Sequence, residues 1–245
     1  MERFQRHLRR GQFIDSGDPI GVKRNPWRAE DILRDPTNLK MPEGDPSKIR
    51  AILYHDMVSE YDARLFSAYV YSLNLPLSPE FRSVEEVWSR DEQNHFNGFR
   101  IINQTVLRVT EEDITEVYAR KSDFGLINHL LEDEFSILLV SAYDELCTVR
   151  GYSADIPIYD QFGPQFGQFI RRVIGDEGWH YSKFLAMIKR YHSHRLGEAE
   201  DLIQRIRDSE GIPYQNTFVM DHFEDVFTTD VFDKSAKILV AQLAG

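Results

Sequence analysis

Two short stretches of this chain look like copies of each other: Asp91-Glu92-Gln93-Asn94-His95-Phe96 and Asp176-Glu177-Gly178-Trp179-His180-Tyr181. Each carries Asp-Glu-x-x-His followed by an aromatic residue, and each has a Phe four residues after its His, at Phe99 and Phe184. On a helix, a Glu and a His three residues apart share a face, so both can reach one bound ion. A further carboxylate stands 32 residues before each Glu, at Glu60 and Glu145, so the set Glu60, Glu92, His95 recurs as Glu145, Glu177, His180 with a single offset of 85 residues. Few folds can use such a list. It matches four helices around two metal ions, with one Glu from each of two helices and a Glu-x-x-His pair from each of the other two.

A single Glu-x-x-His arises easily by chance in an acidic helical chain, where it marks a solvated face. Two copies with matched upstream carboxylates do not, and solvated faces rarely surround their charges with Trp88, Phe96, Phe99, Trp179, Tyr181 and Phe184. Two divalent ions carry four positive charges, which four carboxylates neutralise while two neutral imidazoles fill further positions. Oxygen and nitrogen ligands without a thiolate suit two iron ions, or manganese, better than a structural zinc, and leave positions open for dioxygen. A buried imidazole ligand also needs an acceptor for its other ring N–H; Asp91 and Asp176, each just before a ligand Glu, are placed to serve the opposite histidine.

The chain of 245 residues is long enough for one sizeable core, and nothing divides it, so a single domain over 1–245 is expected. A formal net charge of −11 argues against a nucleic-acid binder that relies on phosphate neutralisation. One cysteine, Cys147, excludes an intrachain disulfide and reads as a small core residue. The longest apolar stretches, near Ile137 to Val140 and Ile238 to Ala241, are far too short to cross a bilayer, and the N-terminus lacks an apolar signal region. The expectation is a soluble, cytoplasmic protein without membrane partners.

Residues 1–44 hold a basic group (Arg3, Arg6, His7, Arg9, Arg10) and then frequent Gly and Pro, which predicts an arm laid over the bundle with short helical pieces at most. Asp45-Pro46 starts a first long helix reaching about Leu73, with Glu60 on its inner face and Asp56, one turn earlier, as the fallback ligand. Ser78-Pro79 starts a second, past His95 to about Thr105, and Glu111 to Arg120 forms a shorter connector. A third helix is predicted from a cap at Ser122 to a stop at Arg150-Gly151, with Glu145 near its end. Glu134, three turns before Glu145 on the same face, competes with it as ligand. After Pro157, Gly163, Pro164 and Gly167, a fourth helix is predicted from Phe169 to about His194, closing on Lys189, Arg190, His192, His194 and Arg195. That cluster fits either a helix C-terminus complementing its dipole or a partner-binding patch. One more amphipathic helix over 198–209 and a last one from Ser235 complete an all-α chain.

These residues resemble the soluble acyl-ACP desaturases, di-iron proteins of ferritin-like fold. Asn25-Pro26-Trp27-Arg28-Ala29-Glu30-Asp31-Ile32-Leu33-Arg34-Asp35-Pro36 is similar to the family's Asn-x-Trp-x-x-x-Asp-x-Leu-x-Asp-Pro segment ahead of the first ligand helix. Trp88 before Asp91-Glu92-Gln93-Asn94-His95 is similar to the Trp preceding the family's Glu-Glu-x-x-His, with Asp here where the family often has Glu. Glu145-Leu146-Cys147-Thr148 resembles the family's Glu-x-x-Thr, which favours Glu145 over Glu134. The likeness covers residues 25–245, in a chain shorter than typical members.

The resemblance implies a ferritin-like four-helix bundle with the di-metal centre in its core. It further implies that Trp27, Asp176 and His95 form a hydrogen-bonded route for electrons, with the Trp27 indole donating to Asp176, and that Thr148 assists oxygen activation. The partners it implies are a ferredoxin-type donor and an acyl carrier protein bringing the substrate to a homodimer. The expected reaction is oxygen-dependent desaturation of a carrier-bound acyl chain in an elongated apolar pocket beside Thr148. The alternatives are a hydroxylase or N-oxygenase acting on a smaller metabolite, and a ferroxidase or iron-storage protein.

Overall fold

In the computed structural model, which describes residues 20–21, 26–211, 219, 220, 222 and 225–245, the regular structure is all helical. The basic residues Arg3 to Arg10, together with Asn25, Phe218 and Phe223, lie outside the described residues. A short helix α1 (Ala29–Ile32) and a 3-10 turn at Pro36–Asn38 are the only helical pieces in the described part of the arm. Four long helices come next: α2 (Pro46–Ser72), α3 (Pro79–Thr105), α5 (Glu134–Tyr159) and α6 (Pro164–Tyr191), with α4 (Glu111–Tyr118) between the second and third. Two more helices, α7 (Leu196–Asp208) and α8 (Thr229–Ala244), pack on the outside of α5.

The first two long helices begin as the sequence predicts. Asp45 accepts from the Ser47 N–H at 2.9 Å and Ser78 Oγ accepts from the Phe81 N–H at 3.0 Å, each with a proline at the first helical position. The third helix differs at both ends. Ser122 does not cap it; residues Phe124–Leu130 form a 3-10 segment, and the helix starts at Glu134, where Asp133 and Ser136 make a reciprocal capping box. At its far end the helix does not stop at Gly151 but continues through Pro157 to Tyr159. Gly151 is there because a Cβ at that position would come within 2.3 Å of the Phe227 ring, a packing reason rather than a helix-stop. The fourth helix starts five residues before Phe169, at Pro164, and ends at Tyr191; His194 falls in a 3-10 turn.

The apolar core is split into two clusters, and the direction of each long helix can be read from the order in which it visits them. One cluster holds Phe66, Trp88, Phe135, Leu146 and Phe184; the other holds Met57, Phe99, Tyr152, Phe169 and Val173. Helices α2 and α6 pass from the second cluster to the first, whereas α3 and α5 pass from the first to the second. The helices are therefore antiparallel within α2–α3 and within α5–α6, and the α3-to-α5 connection crosses the full length of the assembly. Each fully buried Leu, Met or Phe of these clusters stabilises the fold by about 1.5–3 kcal/mol. Where the clusters meet, all four helices turn acidic and imidazole side chains inward.

A missing side chain sets one helix contact. A Cβ on Gly98 of α3 would meet the Phe169 ring of α6 at 2.1 Å, so glycine is needed for that ring to lie against α3. Phe169 in turn packs edge-on against Trp27, ring centres 5.9 Å apart.

Candidate metal centre

Glu60 comes from α2, Glu92 and His95 from α3, Glu145 from α5, and Glu177 and His180 from α6. All six are buried, both histidines completely. They fall into two sets that share Glu92 and Glu177: Glu60, Glu92, His95 and Glu177, and Glu92, Glu145, Glu177 and His180, with one ligating atom of each residue within 4.8 Å of the others in its set. His95 Nδ1 lies 3.2 Å from Glu60 and 3.1 Å from Glu177; His180 Nδ1 lies 2.9 Å from Glu177, 3.2 Å from Glu92 and 3.4 Å from Glu145.

The donor set fits metal ions. Both imidazoles turn Nδ1 into the carboxylates and Nε2 outward, where His95 Nε2 meets Asp176 at 3.1 Å and His180 Nε2 meets Asp91 at 3.4 Å. An aspartate on Nε2 holds the proton there and leaves the Nδ1 lone pair free to ligate. Glu92 Oε1 and Glu177 Oε1 are buried without a hydrogen-bond partner, although a histidine Nδ1 lies 3.2 and 3.1 Å away, as expected for atoms that converge on a common point rather than on each other. The metal-free electrostatics are strained in the same sense. Burial, then the charges of Glu177 and Glu60, push the Glu92 carboxyl well above its usual range, and burial does the same to Glu145. Burial opposes the charged form of both imidazoles, yet the carboxylates around His95 and His180 outweigh it and raise them; these two cations in turn hold Glu177 low against its own burial. Four acids in mid-core do nothing for stability by themselves, and bound cations would offset their charge.

The remaining predicted residues find definite places. The indole N–H of half-buried Trp27 donates to Asp176 Oδ2 at 2.8 Å, the same oxygen that meets His95, and the indole stacks on the His95 ring at 6.2 Å. Asn94 holds the arm there, its Oδ1 accepting from the Ala29 N–H at 2.8 Å. Glu134, the competing ligand, stays at the N-terminus of α5, where its carboxylate accepts from the Ser78 N–H and Oγ and meets His192. Asp56, the fallback, accepts from the Tyr159 hydroxyl at 3.0 Å and stands outside both ligand sets. Arg195 is engaged by Asp133 and Glu198, so this member of the basic cluster at the end of α6 is neutralised within the chain.

Two aromatic residues support the ligands: Tyr152, which no motif marked, and Trp88, which the sequence marked without its role as a donor. Tyr152 donates to Glu60 Oε1 at 2.5 Å, and Trp88 Nε1 donates to Glu145 Oε1 at 2.6 Å, so each single-Glu ligand is held by one aromatic donor. Tyr152 went unnoticed because it comes directly after the glycine read as a helix stop.

Comparison of the chain with protein-family models, with curated proteins and with solved structures finds no match.

A cleft opens onto Glu60, Glu92, Glu145 and Glu177, and Thr148 lines it, its hydroxyl donating to the Asp144 carbonyl at 3.1 Å. The elongated apolar pocket expected beside Thr148 is not what surrounds it: the wall is His55, Asp56, Ser59, Asp155, Tyr152, Tyr159 and His222, with Phe227. The cause is the face of α5, where Glu145, Thr148, Tyr152, Asp155 and Tyr159 recur at helical spacing and are almost all polar. The apolar hollow lies elsewhere, among Phe66, Val70, Phe81, Trp88, Ile137 and Phe184. A separate groove between α2 and α3, with Arg64, Glu85 and Arg90 along it, also reaches Glu60 and Glu92. Among the described residues, no helix is long and apolar enough to cross a membrane.

Proposed function

We propose that this chain is an oxygen-dependent oxidoreductase built on a ferritin-like four-helix bundle with two iron ions in its core. Two antiparallel pairs joined by one full-length crossover support that fold. The observation that carries the activity is the link Trp27–Asp176–His95, which runs without a gap from a half-buried indole to an imidazole whose Nδ1 faces the carboxylates. Storage or simple oxidation of iron requires no such link, whereas a catalyst that must be re-reduced in each turnover does.

Glu60, Glu92, His95 and Glu177 would hold one ion, and Glu92, Glu145, Glu177 and His180 the other. Once bound, the pair supplies dioxygen reduction and the oxidising power to remove hydrogen from an unactivated C–H bond. The protein groups do the rest. Asp176 keeps the His95 proton on Nε2 and accepts from Trp27, so an electron entering at the indole crosses hydrogen-bonded groups only. Tyr152 and Trp88 fix the orientation of Glu60 and Glu145. Thr148, one turn from Glu145, lines the cleft beside the ligands, and its hydroxyl proton, held on the Asp144 carbonyl, would have to turn from it to reach a molecule in the cleft. The substrate proposed from the family resemblance is an acyl chain on a carrier protein, with a ferredoxin-type donor and a double bond as product.

A second reading, hydroxylation or N-oxygenation of a smaller polar metabolite, is favoured by one feature, the polar wall of the cleft at Thr148. Incubating reduced, iron-loaded protein with oxygen and an acyl-carrier mixture decides between them by mass. Products lighter by two hydrogens are expected for the first reading. Products heavier by one oxygen establish the second, and iron mineral with unchanged substrate overturns both.

A further inference from the structure

We propose that Cys147, Glu210 and His222 form a separate site for one zinc ion, which ties His222 to helix α5. The three residues come from the middle of α5, from just past the end of α7 and from the segment before α8, yet a ligating atom of each lies within 4.8 Å of the other two. All three side chains are shielded: Cys147 is fully buried, and the side chains of Glu210 and His222 are 4% and 6% exposed. His222 Nδ1 stands 3.0 Å from Glu210.

Backbone contacts build the place. Gly211, at φ +74°, donates its N–H to the Met220 carbonyl at 3.3 Å, and the Met220 N–H donates to Asp144 Oδ1 at 3.2 Å. Together they hold Glu210 and His222 against the turn of α5 that carries Cys147.

A second observation points to a missing ligand. The hydroxyl of Tyr143, one turn before Cys147 and completely buried, faces Cys147 and Glu210 but makes no hydrogen bond of good geometry to either. An ion with its bound water would give this buried hydroxyl a well-placed partner. Charge balance and ligand type choose the metal. A thiolate, a carboxylate and a neutral imidazole around a divalent ion make a neutral unit suited to burial, and one sulfur with one nitrogen and one oxygen in a four-coordinate shell suits zinc. The main centre, which has no sulfur donor, selects differently.

Cobalt(II) is the probe, because Cys147 is the only cysteine in the sequence and any sulfur-to-cobalt charge-transfer band reports on it alone. Cobalt added to the iron-loaded protein is expected to give this near-ultraviolet band, saturating at one ion per chain and displaced by zinc. The Glu92→Ala/Glu177→Ala variant, which disables the main centre, keeps the band, so failure of the functional reading leaves this one standing. Cys147→Ser and His222→Gln lose it, and zinc then no longer raises their melting temperature. Absence of the band in the wild-type protein at saturating cobalt, or its survival in His222→Gln, overturns the proposal; the wild-type spectrum decides even if a variant fails to fold.

Discussion

His95 and His180 are held alike, each Nε2 on an aspartate from the partner motif, but the two aspartates differ in what stands behind them. Asp176 receives the Trp27 indole, and through it the arm; Asp91 has the exposed guanidinium of Arg90 at 3.4 Å. The upstream glutamates differ too, Glu60 being held by a phenol and Glu145 by an indole. The repeated motif thus keeps what an ion needs, while its flanking residues differ. Equivalent ligands with unequal surroundings give the centre a sidedness, with the Trp27–Asp176 link on the His95 side, where the proposed electron entry lies, and Thr148 on the helix of Glu145.

The largest effect should come from removing what both halves share. Glu92→Ala/Glu177→Ala is expected to abolish iron binding, measured by metal analysis, and with it the stabilisation that wild-type protein gains from metal, about 2.7 kcal/mol at a hundredfold excess over Kd. Retention of two ions by this variant would exclude the paired arrangement. Next comes the difference itself. Trp27→Phe keeps an aromatic plug but loses the donor, so iron content and folding should hold while stopped-flow reduction by ferredoxin slows by roughly tenfold, the kinetic equivalent of about 1.4 kcal/mol. Arg90→Gln on the opposite side should reduce at the wild-type rate; equal slowing in both would erase the proposed sidedness.

The helices that carry the ligands were legible because their signals are local. Asp45-Pro46 and Ser78-Pro79 cap the helices that start at those prolines, and the repeated motif marks its own face of α3 and α6. The ends of α5 were not, because they are decided at a distance. Phe124 to Leu130 has apolar spacing that suits a helix, yet Asp133, Ser136 and the bond from Ser78 to Glu134 put the cap eleven residues after Ser122. Gly151 looks like a stop until Phe227 is seen lying against it. Misplacing that end hid Tyr152 and the polar stripe beyond it, and with them the character of the cleft. The hydrogen bond from Trp27 to Asp176 was anticipated only through a family resemblance; nothing in the local residues of the arm specifies it.

Smaller effects test the unequal support of the two halves. Tyr152→Phe should weaken the ion held by Glu60 and His95, and Trp88→Phe the one held by Glu145 and His180, each by roughly tenfold, as stepwise competition titrations would resolve. If both variants weaken the same step, the pairing of supports with ions is wrong. The smallest change is expected at Glu134, outside the centre. Glu134→Gln should cost about 1 kcal/mol in denaturant unfolding, from the weakened bond to Ser78, with iron content unaltered. Loss of iron there would restore Glu134 as a ligand in place of Glu145.

Gly98 reaches further into this scheme than its lack of a side chain suggests. Its bare backbone lets the Phe169 ring lie against α3, and that ring is a wall of the seat in which the Trp27 indole rests. The gap between indole and carboxylate is therefore set by how closely two helices are allowed to lie, at a residue that is neither charged nor redox-active. An alanine there would act as a shim, wedging the wall without touching donor or acceptor. Along the proposed route, electronic coupling would in that sense be a mechanical tolerance, and helix spacing the dimension on which it depends.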